Sequence, residues 1–229
     1  MARTIAGFAD AVKNGPGRLA TSPAKTIFRA MWGALSPQSA AVVLWLVWYV
    51  TWIAAVVFSR RTTVQMKSDV AGFHRMIASL GVFMLFEPQA AAGFAGARSG
   101  LALRLWPDNL SIDWGLFALT AAGFAFCWWA RLHLGRLWSG FVTLKEGHRI
   151  IDTGPYGLVR HPIYTGVMFA ALATALISAN PIALAGAMLT AIGFSMTARI
   201  EEGFLRRELG AEAYDSYARR VGMLVPGLK

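Results

Sequence analysis

Five long runs of the sequence carry almost no charge, and this limits what the chain can fold into more than any other feature does. They are Ala40 to Phe58, Met76 to Ala97, Trp114 to Ala130, Ile163 to Ala179 and Ile182 to Ala198. Each holds at least about 17 residues, near the lower limit for a helix that crosses a bilayer. Four have no charged residue, and the second has one, Glu87, followed by Pro88. Hydrophobic residues make up 56% of the chain and charged ones 15%, with a mean hydropathy of +0.48. That is more apolar than an ordinary soluble domain. The expected fold class is all-α: a multi-pass integral membrane protein of about five helices, the last two forming a tight hairpin.

The formal net charge of +10 would suggest nucleic acid in a soluble protein. Here the Lys and Arg flank the apolar runs in short loops, so membrane lipids with anionic headgroups are the expected partner and nucleic acid is not. Basic residues cluster after the first run (Arg60, Arg61, Lys67, Arg75), after the third (Arg131, Arg136, Lys145, Arg149, Arg160) and in the tail. The loop after the second run has only Arg98 and Arg104. The positive-inside rule therefore assigns the three basic segments to the cytoplasm. Five spans would then leave the N-terminus outside, although residues 1–38 carry Arg3, Lys13, Arg18, Lys25 and Arg29. Either that arm is translocated against the rule, or one span is re-entrant or miscounted. Ile5, Phe8 and Val12 recur at helical spacing beside Lys13, which suits an interfacial helix. A signal peptide is not expected, because the first long apolar run starts too late.

The chain divides into the basic arm (1–38), three spans (39–130), and a unit (131–229) made of a polar connector, the hairpin and a C-terminal helix. Ser178-Ala179-Asn180-Pro181 marks the hairpin turn, since Asn and Pro end one helix and start the next. Spans joined so tightly are antiparallel, so Tyr164 at one entrance and Arg199 at the other exit share a face. The tail from Glu201 to Val221 reads as amphipathic, with Gly210 as its natural break and Leu205, Leu209, Tyr214, Tyr217 and Val221 near one stripe. Such a helix lies on the membrane surface or closes over the connector.

Chemistry concentrates in the connector, at Arg149 to Gly166, "RIIDTGPYGLVRHPIYTG". Gly154 and Gly157 allow turns closed to other residues, while Pro155 and Pro162 fix φ. Pro162 suits the first turn of the next span, where a missing N–H costs nothing. His161 and Tyr164 are thereby held at a helix N-terminus, a place for a carboxylate or phosphate. Arg199, Glu201 and Glu202 face them across the hairpin. Adjacent helical residues point about 100° apart, so one Glu of the pair turns inward. Arg160 reads as a span-end cation that reaches out to headgroups. Cys127, the single cysteine, reads as a buried packing residue. His74, His133, His148 and His161 are too scattered for a metal motif, and no metal is expected. Trp45, Trp48 and Trp52 share one helical face and suit core packing or an interfacial belt. Glu87 with Pro88 marks either a lateral opening for a lipophilic substrate or a helix broken at the proline.

"GPYGLVRHPIYTG", the Asn-Pro hairpin, "RIEEGFLRRELG", "AYDSY" and the closing "VPG" together resemble the isoprenylcysteine carboxyl methyltransferase family, within the wider group that includes membrane phospholipid methyltransferases. The likeness covers roughly residues 145–227. It implies a methyltransferase that binds S-adenosylmethionine on the cytosolic side and methylates a lipophilic or lipidated acceptor, such as an isoprenylcysteine carboxylate. Carried over by position, the cofactor contacts are His148, Ile151, Gly154, Tyr156, His161, Pro162, Tyr164, Glu201 and Glu202. The family's substrate-orienting arginine falls nearest to Arg199, at a shorter spacing from the acidic pair than the family uses. A carboxylate acceptor is already ionised at neutral pH and needs no base, whereas an amine or thiol would need one. Two rivals remain: a membrane sterol reductase using a nicotinamide cofactor, whose loop departs from this motif, and a non-catalytic lipid carrier, which would not need His161, Tyr164 and the Glu pair together.

Overall fold

The computed structural model describes residues 35–55, 62–65, 68–95, 103–135, 138, 143–145 and 150–228, with side chains left undescribed at 62–65, 68–71, 87–95 and 143–145. The proposed interfacial helix around Ile5, Phe8 and Val12, and His148 of the connector, lie outside the described residues. Among the described residues six α-helices follow one another: α1 (Pro37–Ala54), α2 (Ser68–Ala95), α3 (Leu110–Leu134), α4 (Pro162–Ser178), α5 (Pro181–Leu209) and α6 (Ala211–Arg220). Helices α1, α3 and α5 are long and apolar enough to cross a membrane. The other two expected spans correspond to shorter apolar helices, Gly72–Phe86 within α2 and Pro162–Ser178. At 1.5 Å per residue α4 rises about 26 Å, slightly less than a typical hydrocarbon core.

The outer surface of α1 shows how such a helix sorts its residues. Ala41 and Trp45 are buried, while Val43, Leu46, Val47 and Val50 are exposed. Because both faces stay apolar, the helix has an inside and an outside but no polar face, as lipid-facing helices do. Trp45 packs with Phe86, Phe124 and Leu85 in the core, and Trp48 and Trp52 pack against the same cluster. Its indole N–H donates to Thr174 Oγ1 at 3.0 Å. Cys127 is fully buried in this cluster. Buried threonines are satisfied locally: Thr190 and Thr197 hydroxyls donate to the carbonyls of Gly186 and Gly193, each at 2.8 Å.

Small residues let α2 lie close along α5. A Cβ added to Gly193 would stand 2.6 to 2.9 Å from the backbone and Cβ of Ala78, a spacing only glycine permits. Helix α3 pairs with α4 in the same antiparallel bundle. At the hairpin, α4 ends on Ala179 in the left-handed region, and Asn180 caps α5 by accepting from the Ile182 N–H at 2.8 Å. Its amide also donates to the Leu103 carbonyl at 2.8 Å, which ties the segment before α3 to the turn.

Several expectations change. Helix α5 does not stop near Ala198 but runs unbroken to Leu209, so Glu201 and Glu202 continue the span rather than begin a separate tail helix. The break falls at Gly210, at φ 97°. Helix α3 extends four residues beyond Ala130, to Leu134, and α2 passes through Pro88 to Ala95 without ending there. Among the described residues the architecture is helical apart from one short antiparallel pair, β1 (Thr62–Gln65) with β2 (Thr143–Lys145), where Thr62 faces Lys145 and Gln65 faces Thr143. β-branched residues in the two connections favour such pairing. Its open edges belong outside the hydrocarbon layer.

Candidate active site at the mouth of the hairpin

Sequence puts Arg160, His161, Pro162 and Tyr164 at the start of α4, and the long α5 brings its last polar turns back beside them. The first link is Arg160. Its Nε donates to Glu202 Oε1 at 2.6 Å and its Nη2 to Glu202 Oε2 at 3.1 Å, a two-point ion pair. Nη1 donates to the carbonyls of Ala218 and Val221. The Arg160 side chain is only 9% exposed. It does not reach out to headgroups as expected: it turns inward, because two backbone carbonyls at the end of α6 and a carboxylate meet all three of its nitrogens. Burial alone would lower its pKa, but the hydrogen bond and charge of Glu202 outweigh that and raise it.

His161 continues the network. Its Nε2 lies 3.2 Å from Glu202 Oε1 and its Nδ1 3.7 Å from Glu201 Oε2. The imidazole stacks on the Tyr164 ring, with centroids 5.4 Å apart and planes 5° from parallel. Tyr164 stacks in turn on Phe194 and donates its hydroxyl to Glu201 Oε2 at 2.9 Å. Pro162 is fully buried at the first position of α4. No side chain among the described residues caps this helix start, whose free N–H groups and dipole give it a positive character.

The connector enters through a 3-10 turn, Gly154–Gly157. Gly154 has φ 57°, and a Cβ there would stand 2.8 Å from the His133 ring. The positive φ favours glycine, and any larger residue would also have to displace the His133 ring. His133 Nε2 lies 2.9 Å from Thr153 Oγ1, and its ring stacks on Tyr156. Tyr156 is buried. Burial first, then the negative charge of Glu201, raises its phenol pKa well above the ordinary value. The chain end closes the arrangement. Tyr217 donates its hydroxyl to the Tyr156 carbonyl at 2.8 Å, and the Arg160 and His161 N–H groups donate to the carbonyls of Gly222 and Met223. Tyr214, Tyr217 and Val221 pack with Ile150 and Leu205, so α6 folds onto the connector.

Of the residues expected at the site, the fold gathers Tyr156, His161, Pro162, Tyr164, Glu201 and Glu202, with Gly154 at the turn leading in. Ile151 is half-buried in the segment that leads to the turn. Arg199 is exposed and has no hydrogen bond or ion pair among the described residues, so it is not part of the network. Arg160, His133 and the Ala218 to Met223 carbonyls are the additions. Backbone acceptors some sixty positions away leave no pattern in a sequence, though the stacked spacing of Arg160 and His161 before Pro162 was a visible cue. Among the described residues no group of three or more His, Cys, Asp or Glu is gathered that suits a metal ion.

Residues 116–206 match the isoprenylcysteine carboxyl methyltransferase family. Similar proteins include a probable protein-S-isoprenylcysteine O-methyltransferase of Oryza sativa subsp. indica, 32% identical over 110 residues, which are 48% of this chain and 52% of that protein. Protein-S-isoprenylcysteine O-methyltransferase B of Arabidopsis thaliana is 32% identical over 95 residues, 40% of this chain and 48% of that protein. The match thus spans about half the length of these curated relatives. Among solved structures, that of a eukaryotic intramembrane Ras methyltransferase aligns over 88% of this chain and 90% of its own, at 17% identity and a TM-score of 0.39.

Proposed function

We propose that this chain, whose residues 116–206 carry the isoprenylcysteine carboxyl methyltransferase family pattern, transfers a methyl group from S-adenosylmethionine to a lipophilic acceptor, an isoprenylcysteine-like carboxylate above all. The observation that carries the reading is the network that binds His161 and Tyr164 at the start of α4 to Glu201 and Glu202 on α5. Its residues fit the donor. Glu201 commits one carboxylate oxygen to Tyr164, which leaves the other for an ammonium or a ribose hydroxyl. The uncapped helix start offers N–H groups to the donor's own carboxylate. When bound, the donor supplies an electrophilic methyl on a sulfonium.

The chain's own work is placement. Orienting two reactants in line supplies roughly 7 to 11 kcal/mol of barrier lowering, and an ionised carboxylate acceptor asks for no general base. Arg160 is spent on Glu202, so it fixes the donor side rather than the acceptor. Arg199, exposed near the same end of α5, is the residue we assign to orienting the acceptor. The basic connector and tail support a cytosolic side for this face of the bundle, where a water-soluble donor would meet an acceptor that arrives within the bilayer.

Calorimetry with S-adenosylmethionine on the detergent-purified protein tests the reading. Binding in the micromolar range that is lost in His161→Ala and in Glu201→Ala/Glu202→Ala supports it. Arg199→Ala should then keep donor affinity and lower kcat/KM for a prenylated cysteine acid about tenfold or more, the scale of a charged hydrogen bond. Binding of a nicotinamide cofactor instead would overturn it.

A further inference from the structure

The last turn of α3 holds a guanidinium that the network above does not use. Arg131 is 6% exposed. Its Cζ lies 3.4 Å from the ring centre of Trp138, 4.7 Å from that of Trp52 and 5.9 Å from that of Trp128. Trp52 meets Trp128 and Trp138 edge to face, with centroids 5.5 and 5.4 Å apart, and stacks on Trp48 at 5.1 Å. Indole faces stabilise a cation through the ring quadrupole. They give its N–H groups no in-plane acceptor. Among the described residues Arg131 Nη1 is buried with no hydrogen-bond partner, and no ion pair includes Arg131.

A buried cation with an unmet donor is costly to keep. The rings hold the planar fork in place while part of its edge stays unbonded, which is how a receptor for a flat anion is built. Its position adds a reason. Arg131 lies one turn beyond Cys127 on the buried face of α3, and the Cys127 thiol donates to the Ile163 carbonyl in the first turn of α4 at 3.3 Å. Two residues on, His133 stacks on Tyr156. The guanidinium is therefore at the end of the bundle where α4 begins, and its Trp52 wall comes from α1.

We propose that Arg131, in its box of Trp52, Trp128 and Trp138, binds a carboxylate. The proposal rests on the methyl-transfer reading for the two carboxylates within its scope: that of a prenylated cysteine acceptor, where Arg131 acts beside Arg199, and the amino-acid carboxylate of the donor, where it acts beside the start of α4. The test uses the full chain in detergent, with tryptophan fluorescence and calorimetry as readouts. N-acetyl-S-farnesylcysteine is compared with its methyl ester, and S-adenosylmethionine with its decarboxylated form. In the wild type one carboxylate-bearing ligand should bind about tenfold or more tightly than its counterpart without the carboxylate, the scale of one charged hydrogen bond. Arg131→Met should abolish that preference. Arg131→Lys keeps the cation between the indoles, so it guards against a folding defect, and by losing the fork it should lose most of the preference. A preference within the farnesyl pair assigns the acceptor, and one within the adenosyl pair assigns the donor. Equal binding within both pairs, or a preference that survives Arg131→Met and Arg131→Lys, overturns the proposal. The farnesyl comparison needs no turnover and no donor. Absence of S-adenosylmethionine binding would thus sink the methyl-transfer reading while leaving this test decidable.

Discussion

Adjacent positions on a helix point about 100° apart, and Glu201 and Glu202 show what that separation allows. Both Glu202 oxygens are committed, one to Arg160 Nε and His161, the other to Arg160 Nη2. Glu201 commits one oxygen, to Tyr164. Glu202→Gln turns an N–H group toward Arg160 and leaves a nearly buried guanidinium half-paired, so it should cost about 2 to 3 kcal/mol of stability. Glu201→Gln should stay within about 0.5 kcal/mol of wild type and weaken donor binding tenfold or more. Denaturant unfolding beside calorimetry separates the two, and an equal stability loss would show that both carboxylates are structural. The motif "RHPIY" and the acidic pair were legible in the sequence because their side chains carry the chemistry. The inward turn of Arg160 was not, since its other partners are the carbonyls of Ala218 and Val221, which any residue would supply.

Elements obey backbone geometry before side-chain polarity, and this explains which boundaries could be read. The hairpin was legible because Asn180 and Pro181 have fixed roles at a helix start. The true length of α5 was not: Arg199 to Leu209 changes polarity and looks like a new element, yet i to i−4 hydrogen bonds continue regardless of which solvent the side chains meet. Strands of three and four residues show no periodicity at all. Spacing between elements is set by glycine at one point and left open at another, which gives a paired prediction. Gly193→Ala would force its Cβ to within 2.6 to 2.9 Å of Ala78 and should destabilise the α2 and α5 contact by about 1 to 3 kcal/mol. In Gly203→Ala the new Cβ meets nothing within 4 Å, so the same substitution in the same helix should stabilise by about 0.4 to 1 kcal/mol. Thermal unfolding in one detergent compares them, and similar shifts in both would mean that helix propensity, not packing, decides.

At the scale of the molecule, the chain end closes on the connector through tyrosines, and this closure carries its own pH dependence. Burial, as the first cause in each case, raises the phenols of Tyr156, Tyr214 and Tyr217 above their ordinary 10.0. An acid whose folded pKa is raised favours folding in its neutral form. The contribution is complete below about pH 10 and disappears as the pH climbs from there through the folded values. Tyr214 and Tyr217 pack with Ile150, and the Tyr217 hydroxyl bonds the carbonyl of Tyr156 in the turn that leads to His161. Alkaline titration should therefore show tyrosinate forming late and together, in the same step that frees the tail and abolishes donor binding, while the helical bundle persists. Ultraviolet absorbance followed beside far-ultraviolet circular dichroism and donor affinity reads all three. Tyr217→Phe removes the bond to the Tyr156 carbonyl, costs about 1 kcal/mol at neutral pH, and should move the release to lower pH. Independent ionisation of these phenols near pH 10, with donor binding intact above it, would mean that the closed tail plays no part in holding the site.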